Sequence, residues 1–187
     1  MSKTIDSTAL EAYLTPKRLQ HSRSVTQLCH YVNDHYSLHA DHYDLTTVGL
    51  GHDIARSWSE AKLKAYIKAN NLHLIEGEAE IPELLHAPVG AHILKTMGAR
   101  EAITSAIRYH TLGSVEMGSL GYILFVSDYL DPNRSFLSRE DRSELLRAPT
   151  IENLVYQILN RSVAYLQREG KPIFDVTSQL IAELEGR

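Results

Sequence analysis

Apolar positions recur along most of this chain with a helical period. Val25, Leu28, Cys29, Val32 and Tyr36 fall at i, i+3, i+4, i+7 and i+11, which is one helix face. The stretch Ser57 to Glu60, "SWSE", has the form of a capping box and predicts a helix with Leu63, Tyr66 and Ile67 turned inward. Ile103, Ala106, Ile107 and His110 form another stripe, and Leu120, Leu124 and Asp128 follow at steps of four. Thr150 is placed to cap a long helix carrying Ile151, Leu154, Val155, Ile158, Leu159 and Leu166, which stops at Gly170 with Pro172 beyond. Asp175 is expected to cap the last helix, which turns Val176, Leu180, Ile181 and Leu184 inward. No stretch alternates with period two between turn signals, so no strand is predicted. The pattern implies one all-α domain over 1–187, a helical bundle of about eight or nine helices around a shared core. The first fifteen or so residues and the region 132–149 carry the weakest periodicity.

Composition narrows the picture. The chain has 187 residues, 43% of them hydrophobic and 22% charged, which is enough for a real core and too balanced for disorder. The net charge of −4 argues against a broad nucleic-acid footprint. Cys29 is the single cysteine, so no internal disulfide forms, and its place in an apolar stripe reads as an inert core residue. No apolar signal core and no run of roughly 18 apolar residues is present, so a soluble, cytoplasmic protein without a membrane partner is expected.

Polar residues on the apolar faces change the reading from fold to chemistry. His21 lies four residues before Val25 and seven before Leu28, so it points with the core. His52 follows Leu45, Val48 and Gly49 at the same helical offsets, His110 ends its own stripe, and Asp128 ends another. His86 precedes Pro88, which restarts a helix at its first turn and leaves the imidazole at a junction. His92 falls on a different face. His30, His35, His39, His42 and His73 lie in polar surroundings and read as solvated. A single histidine on such a face is usually a hydrogen-bonded core residue. Several together, with buried carboxylates, each need a partner or a cation. Imidazole and carboxylate without thiolate suit iron, manganese or zinc.

The order His21, His52-Asp53, His86, His110, Asp128 resembles that of the HD-domain metal-dependent phosphohydrolases. "RLQHS", "GLGHDIAR", "LLHAPVGAHIL", "AIRYHTLG" and "FVSDYLDPNR" are similar to the successive motifs of the YqeK family, from about Arg18 to about Phe174. That family hydrolyses diadenosine tetraphosphate symmetrically to two ADP at a di-iron centre. The resemblance implies an HD-type fold, a dinucleoside polyphosphate substrate and two iron ions per chain, with manganese or another divalent metal as the alternative. It implies His21, His52, Asp53, His86, His110 and Asp128 as ligands, with Asp53 bridging, and hydroxide generated at the metal pair as the nucleophile. Arg18, Arg56 and Arg134 flank these ligands and are expected on the phosphates, Arg56 beside the reacting centre with Asp53. Thr111 and Asp131 are further expected substrate contacts. Arg108 is set aside, because two residues from His110 it faces elsewhere on its helix. The family often has threonine at Leu112 and glutamate at Asp131. Another HD phosphohydrolase, acting on a different nucleotide or a cyclic dinucleotide, would share every ligand. A non-catalytic metal-binding bundle is the third reading, and a homodimer is left open.

Overall fold

The computed structural model describes residues 4–185. Among them are ten α-helices and no strand: α1 (Ser7–Glu11), α2 (Pro16–His35), α3 (His42–Gly51), α4 (Glu60–Ala69), α5 (His86–Met97), α6 (Glu101–Tyr109), α7 (Gly118–Leu130), α8 (Arg139–Leu145), α9 (Ile151–Arg168) and α10 (Asp175–Glu185). Three short 3-10 turns lie at Glu78–Glu80, Pro82–Leu84 and Val115–Met117. No helix among the described residues is long and apolar enough to cross a membrane.

α7 is apolar on every side, as a helix at the centre of a bundle must be. Leu120 to Ser127 are all buried, and α2, α6 and α9 surround them. α2 also lies along α3, and α5 along α6. Thr15 caps α2, its hydroxyl accepting the Arg18 N–H, with Pro16 in the first turn. Thr150 caps α9 as expected, and Gly170 ends it in the left-handed conformation, φ 62°. Cys29 is fully buried in the α2 stripe, and burial pushes its thiol up to about 12, so it stays protonated and inert.

Local differences from the sequence expectation have local causes. The cap of α4 is Ser59, whose hydroxyl accepts the Lys62 N–H; Ser57 still belongs to the turn that carries His52 and Asp53. Only Leu63 of that helix is buried, with Tyr66 and Ile67 half-buried. Asp175 is the first residue of α10 rather than its cap, and Thr177, Leu180 and Leu184 take the buried positions. Two weakly periodic regions are helical after all. Asp6 caps the short α1, and Ser138 with Asp141 forms a reciprocal capping box for α8. Helices of five and seven residues are too short for a stripe to be read.

Candidate metal centre

The polar residues singled out above converge because most of them sit where a helix ends. His52 is the C-cap of α3, and the backbone turns at once, with the Ile54 N–H bonded to the Gly51 carbonyl and Arg56 to Asp53. Neighbouring side chains on a helix point about 100° apart. The turn lets His52 and Asp53 serve one centre. His86 opens α5, with Pro88 in the first turn, and His110 is the C-cap of α6. Asp128 lies two residues from the end of α7, and His21 lies inside α2.

Every ring is held by its Nδ1. That of His52 donates to the Gly49 carbonyl (2.9 Å), that of His86 to the Glu83 carbonyl (2.7 Å) and that of His110 to the Ile107 carbonyl (2.7 Å). His21 Nδ1 donates to Asp131 Oδ2 at 2.6 Å. These bonds put a proton on each Nδ1 and aim each Nε2 into the centre. The Nε2 atoms meet in two pairs, His21 with His52 at 3.3 Å and His86 with His110 at 3.2 Å. Two bare imidazole nitrogens so placed repel one another unless a proton or a cation lies between them.

Asp53 joins the two pairs. Its Oδ2 lies 3.8 Å from His21 Nε2 and 3.7 Å from His52 Nε2, and its Oδ1 lies 3.3 Å from His86 Nε2. Asp128 Oδ1 completes the first group, 3.0 Å from His21 and 3.8 Å from His52. Two clusters among the described residues therefore have the make-up of metal sites, His21–His52–Asp53 and Asp53–His86–His110. The donor set is imidazole and carboxylate without thiolate, which fits hard-to-borderline divalent ions. Burial opposes ionisation of Asp53, yet the surrounding His52, His86 and His110 hold its carboxyl far below the usual range. Burial likewise opposes the charge of Asp128, and His21, His52 and Arg134 outweigh it. Burial and the neighbouring His86 and His52 push His110 down to about 3, so it stays neutral, as a ligand must be.

His21, Asp53, His86, His110 and Asp128 line a cavity of about 1120 Å³. Arg18, Arg56, Thr111 and Arg134 line it too. Arg18 Nη1 donates to Asp53 Oδ2 at 2.7 Å, and Arg134 Nη2 donates to Asp128. The Thr111 hydroxyl and Arg134 Nε are buried without a hydrogen-bond partner in the protein. Arg108 is engaged elsewhere. It clamps the fully buried Glu78 through both carboxylate oxygens, at 2.8 and 2.7 Å, and so fastens the 3-10 segment to α6. Asp131, expected among the substrate contacts, also lines the cavity and lies beneath His21. Its carboxylate accepts from His21, from the Ser24 hydroxyl (2.7 Å) and from the Asn133 side chain (2.9 Å), and it is fully buried. Sequence reasoning missed this orienting role, although Ser24 lies one turn after His21 and Asp131 almost one turn after Asp128. The histidines read as solvated are half-buried or exposed, and His92 turns away to bond Tyr66.

Comparison with known proteins shows the family. The HD domain family matches residues 18–133. A crystal structure from Clostridium acetobutylicum, described as a predicted HD superfamily hydrolase involved in NAD metabolism, has the same fold: the TM-score is 0.87 at 21% identity, over 99% of this chain and 100% of that one. The fold and the site thus define an HD-domain hydrolase. The chain is 32% identical over 142 residues, 74% of each protein, to a symmetrical bis(5'-nucleosyl)-tetraphosphatase of Bacillus subtilis. It is 27% identical to one of Halalkalibacterium halodurans over 93% of this chain and 94% of the relative. The chain belongs to this family of symmetrical bis(5'-nucleosyl)-tetraphosphatases.

Proposed function

We propose that this hydrolase cleaves diadenosine tetraphosphate symmetrically to two ADP, and that Asp53 stands between the residues that would hold two iron ions. The observation that carries the reading is that the two oxygens of one buried carboxylate face two separate histidine pairs. His21, His52 and Asp128 would hold one ion with Asp53 Oδ2, and His86 and His110 the other with Oδ1. When bound there, such a pair supplies an activated water and neutralises phosphate charge. Manganese suits the same donors. The similarity to the two tetraphosphatases supports the substrate class.

The chain's own residues do the rest. Arg18, Arg56 and Arg134 grip the phosphate oxygens, and Thr111, whose hydroxyl lacks a protein partner, donates to another. Asp131 keeps the His21 imidazole in one tautomer and one orientation. Attack of water on an inner phosphorus breaks its bond to the central bridging oxygen, the one between the two inner phosphorus atoms, and that oxygen leaves on the departing ADP. One ADP leaves, and the second ADP keeps the oxygen from water.

Two experiments test the assignment. Chromatography of an early time point should show ADP as the sole nucleotide product. In oxygen-18 water, one label should enter one of the two ADP molecules per turnover. Equal AMP and ATP would reject the symmetrical reading, and turnover of only cyclic or deoxynucleotide substrates would reject the substrate class. Truncation of Arg18, Arg56 or Arg134 to alanine should raise KM or lower kcat about tenfold, the scale of a charge-assisted hydrogen bond of about 1.5–3 kcal/mol. Metal content should not change. An arginine variant with unaltered Michaelis constants would not be a phosphate ligand.

A further inference from the structure

Phe136 is the most exposed large apolar side chain among the described residues, at 57% of its surface. It is not exposed for want of a place to go. Leu137, the next residue, is buried in the core, and the segment between α7 and α8 is stitched down by one arginine. Arg142 donates from its guanidinium to the carbonyls of Leu130, Asp131 and Arg134. Asp131 accepts the Asn133 N–H as well. Phe136 is therefore presented outward from a fixed backbone.

Its surroundings are specific. The phenyl ring packs edge-on against Tyr129, with ring centres 5.3 Å apart and an angle of 63°. The Arg134 guanidinium lies 5.9 Å from the ring centre, and the same guanidinium holds Asp128 of the metal centre. Phe136 and Tyr129 both line the cavity that contains the metal-site residues. The order is thus carboxylate, guanidinium, aromatic face. That is the order in which a dinucleoside tetraphosphate would present inner phosphate, outer phosphate and base to a wall of the cavity.

We infer that Phe136 is the stacking platform for the purine base at one end of the substrate, with Arg134 on the phosphates between base and metals. This rests on the tetraphosphatase reading above. An aromatic face takes any base, so the platform sets the preference for nucleotide over bare polyphosphate rather than for adenine over guanine. Stacking on one aromatic ring corresponds to roughly tenfold in affinity, within the range found when such rings are truncated.

Calorimetric titration of the manganese-loaded protein with ADP and with pyrophosphate tests this without turnover. Wild type should bind ADP more tightly than pyrophosphate. Phe136→Ala should weaken ADP about tenfold and leave pyrophosphate unchanged, and Phe136→Trp should restore ADP binding. Unchanged ADP affinity in Phe136→Ala overturns the platform, as does an equal loss of both ligands, which would mean that the ring merely supports Arg134. Product analysis with diadenosine tetraphosphate is read separately. Wild type that binds ADP through Phe136 but leaves the tetraphosphate uncleaved would sink the tetraphosphatase reading and not the platform.

Discussion

Asp53→Ala is expected to release both metal ions and to lower kcat/KM by about 10⁴-fold or more, well within the 10⁶-fold and larger accelerations that enzymes supply. Asp53 belongs to both clusters found among the described residues. Each histidine reaches one cluster, whereas Asp53 presents Oδ2 to His21 and His52 and Oδ1 to His86. Without it, the second cluster keeps only His86 and His110, and two neutral imidazoles neither complete a coordination shell nor offset a divalent charge. The first cluster keeps Asp128, but that carboxylate already shares Oδ1 with Arg134. His86→Ala or His110→Ala should remove mainly one ion, since neither belongs to the first cluster. Metal analysis of anaerobically purified variants, alongside turnover, checks the contrast. Asp53→Ala that keeps a tightly bound ion would sink the bridging role. Arg18 complicates only the amplitude: it also loses its partner at 2.7 Å, and the variant should be screened for folding before metal is counted.

The fold and the candidate metal centre were legible to different depths. His21, His52 and His110 lie on core-facing stripes, and three such residues on three helices already demand a common partner. Pro88 exposed the junction at His86. The helical pattern also excluded strands, because α2, α7 and α9 are long enough to show their period. What periodicity did not carry was anything built from backbone or from short elements. The carbonyls of Gly49, Glu83 and Ile107 orient three imidazoles, and a carbonyl leaves no mark on a sequence. Asp131 is expected only as a substrate contact, through the family resemblance, because its position under His21 depends on how α2 meets the end of α7. The Glu78–Arg108 pair joins residues thirty apart across a turn-rich segment, where no stripe exists to follow. Gly49 is the most instructive case. In the sequence it merely continues the α3 stripe with Leu45 and Val48.

In the structure Gly49 sets how closely α2 and α3 approach. A Cβ at this position would lie 2.4 Å from Thr26 Oγ1 and 2.6 Å from Thr26 Cα. The Thr26 hydroxyl is already committed to the Ser22 carbonyl at 2.8 Å, and a backbone atom cannot turn aside. Gly49→Ala must therefore push the helices apart. Overpacking of this kind costs about 1–3 kcal/mol, and for a chain of this size each kcal/mol lowers Tm by roughly 2–4 °C. A loss of about 5 °C or more is expected, because the clash is with backbone. The same displacement separates His21, on α2, from His52, which donates its Nδ1–H to the Gly49 carbonyl. Their 3.3 Å approach should widen, and the first cluster should lose about 10–100-fold in metal affinity, the scale of disturbing the groups that orient a ligand. The second cluster, carried by α5 and α6, should keep its ion. Gly51→Ala is the matched control, since its Cβ would meet the flexible Leu94 side chain at 2.8 Å rather than backbone. It should destabilise less and keep both ions. Calorimetric melting with metal titration reads both effects, and Gly49→Ala with an unchanged Tm and two tightly held ions would show that the close crossing does not position His21 against His52.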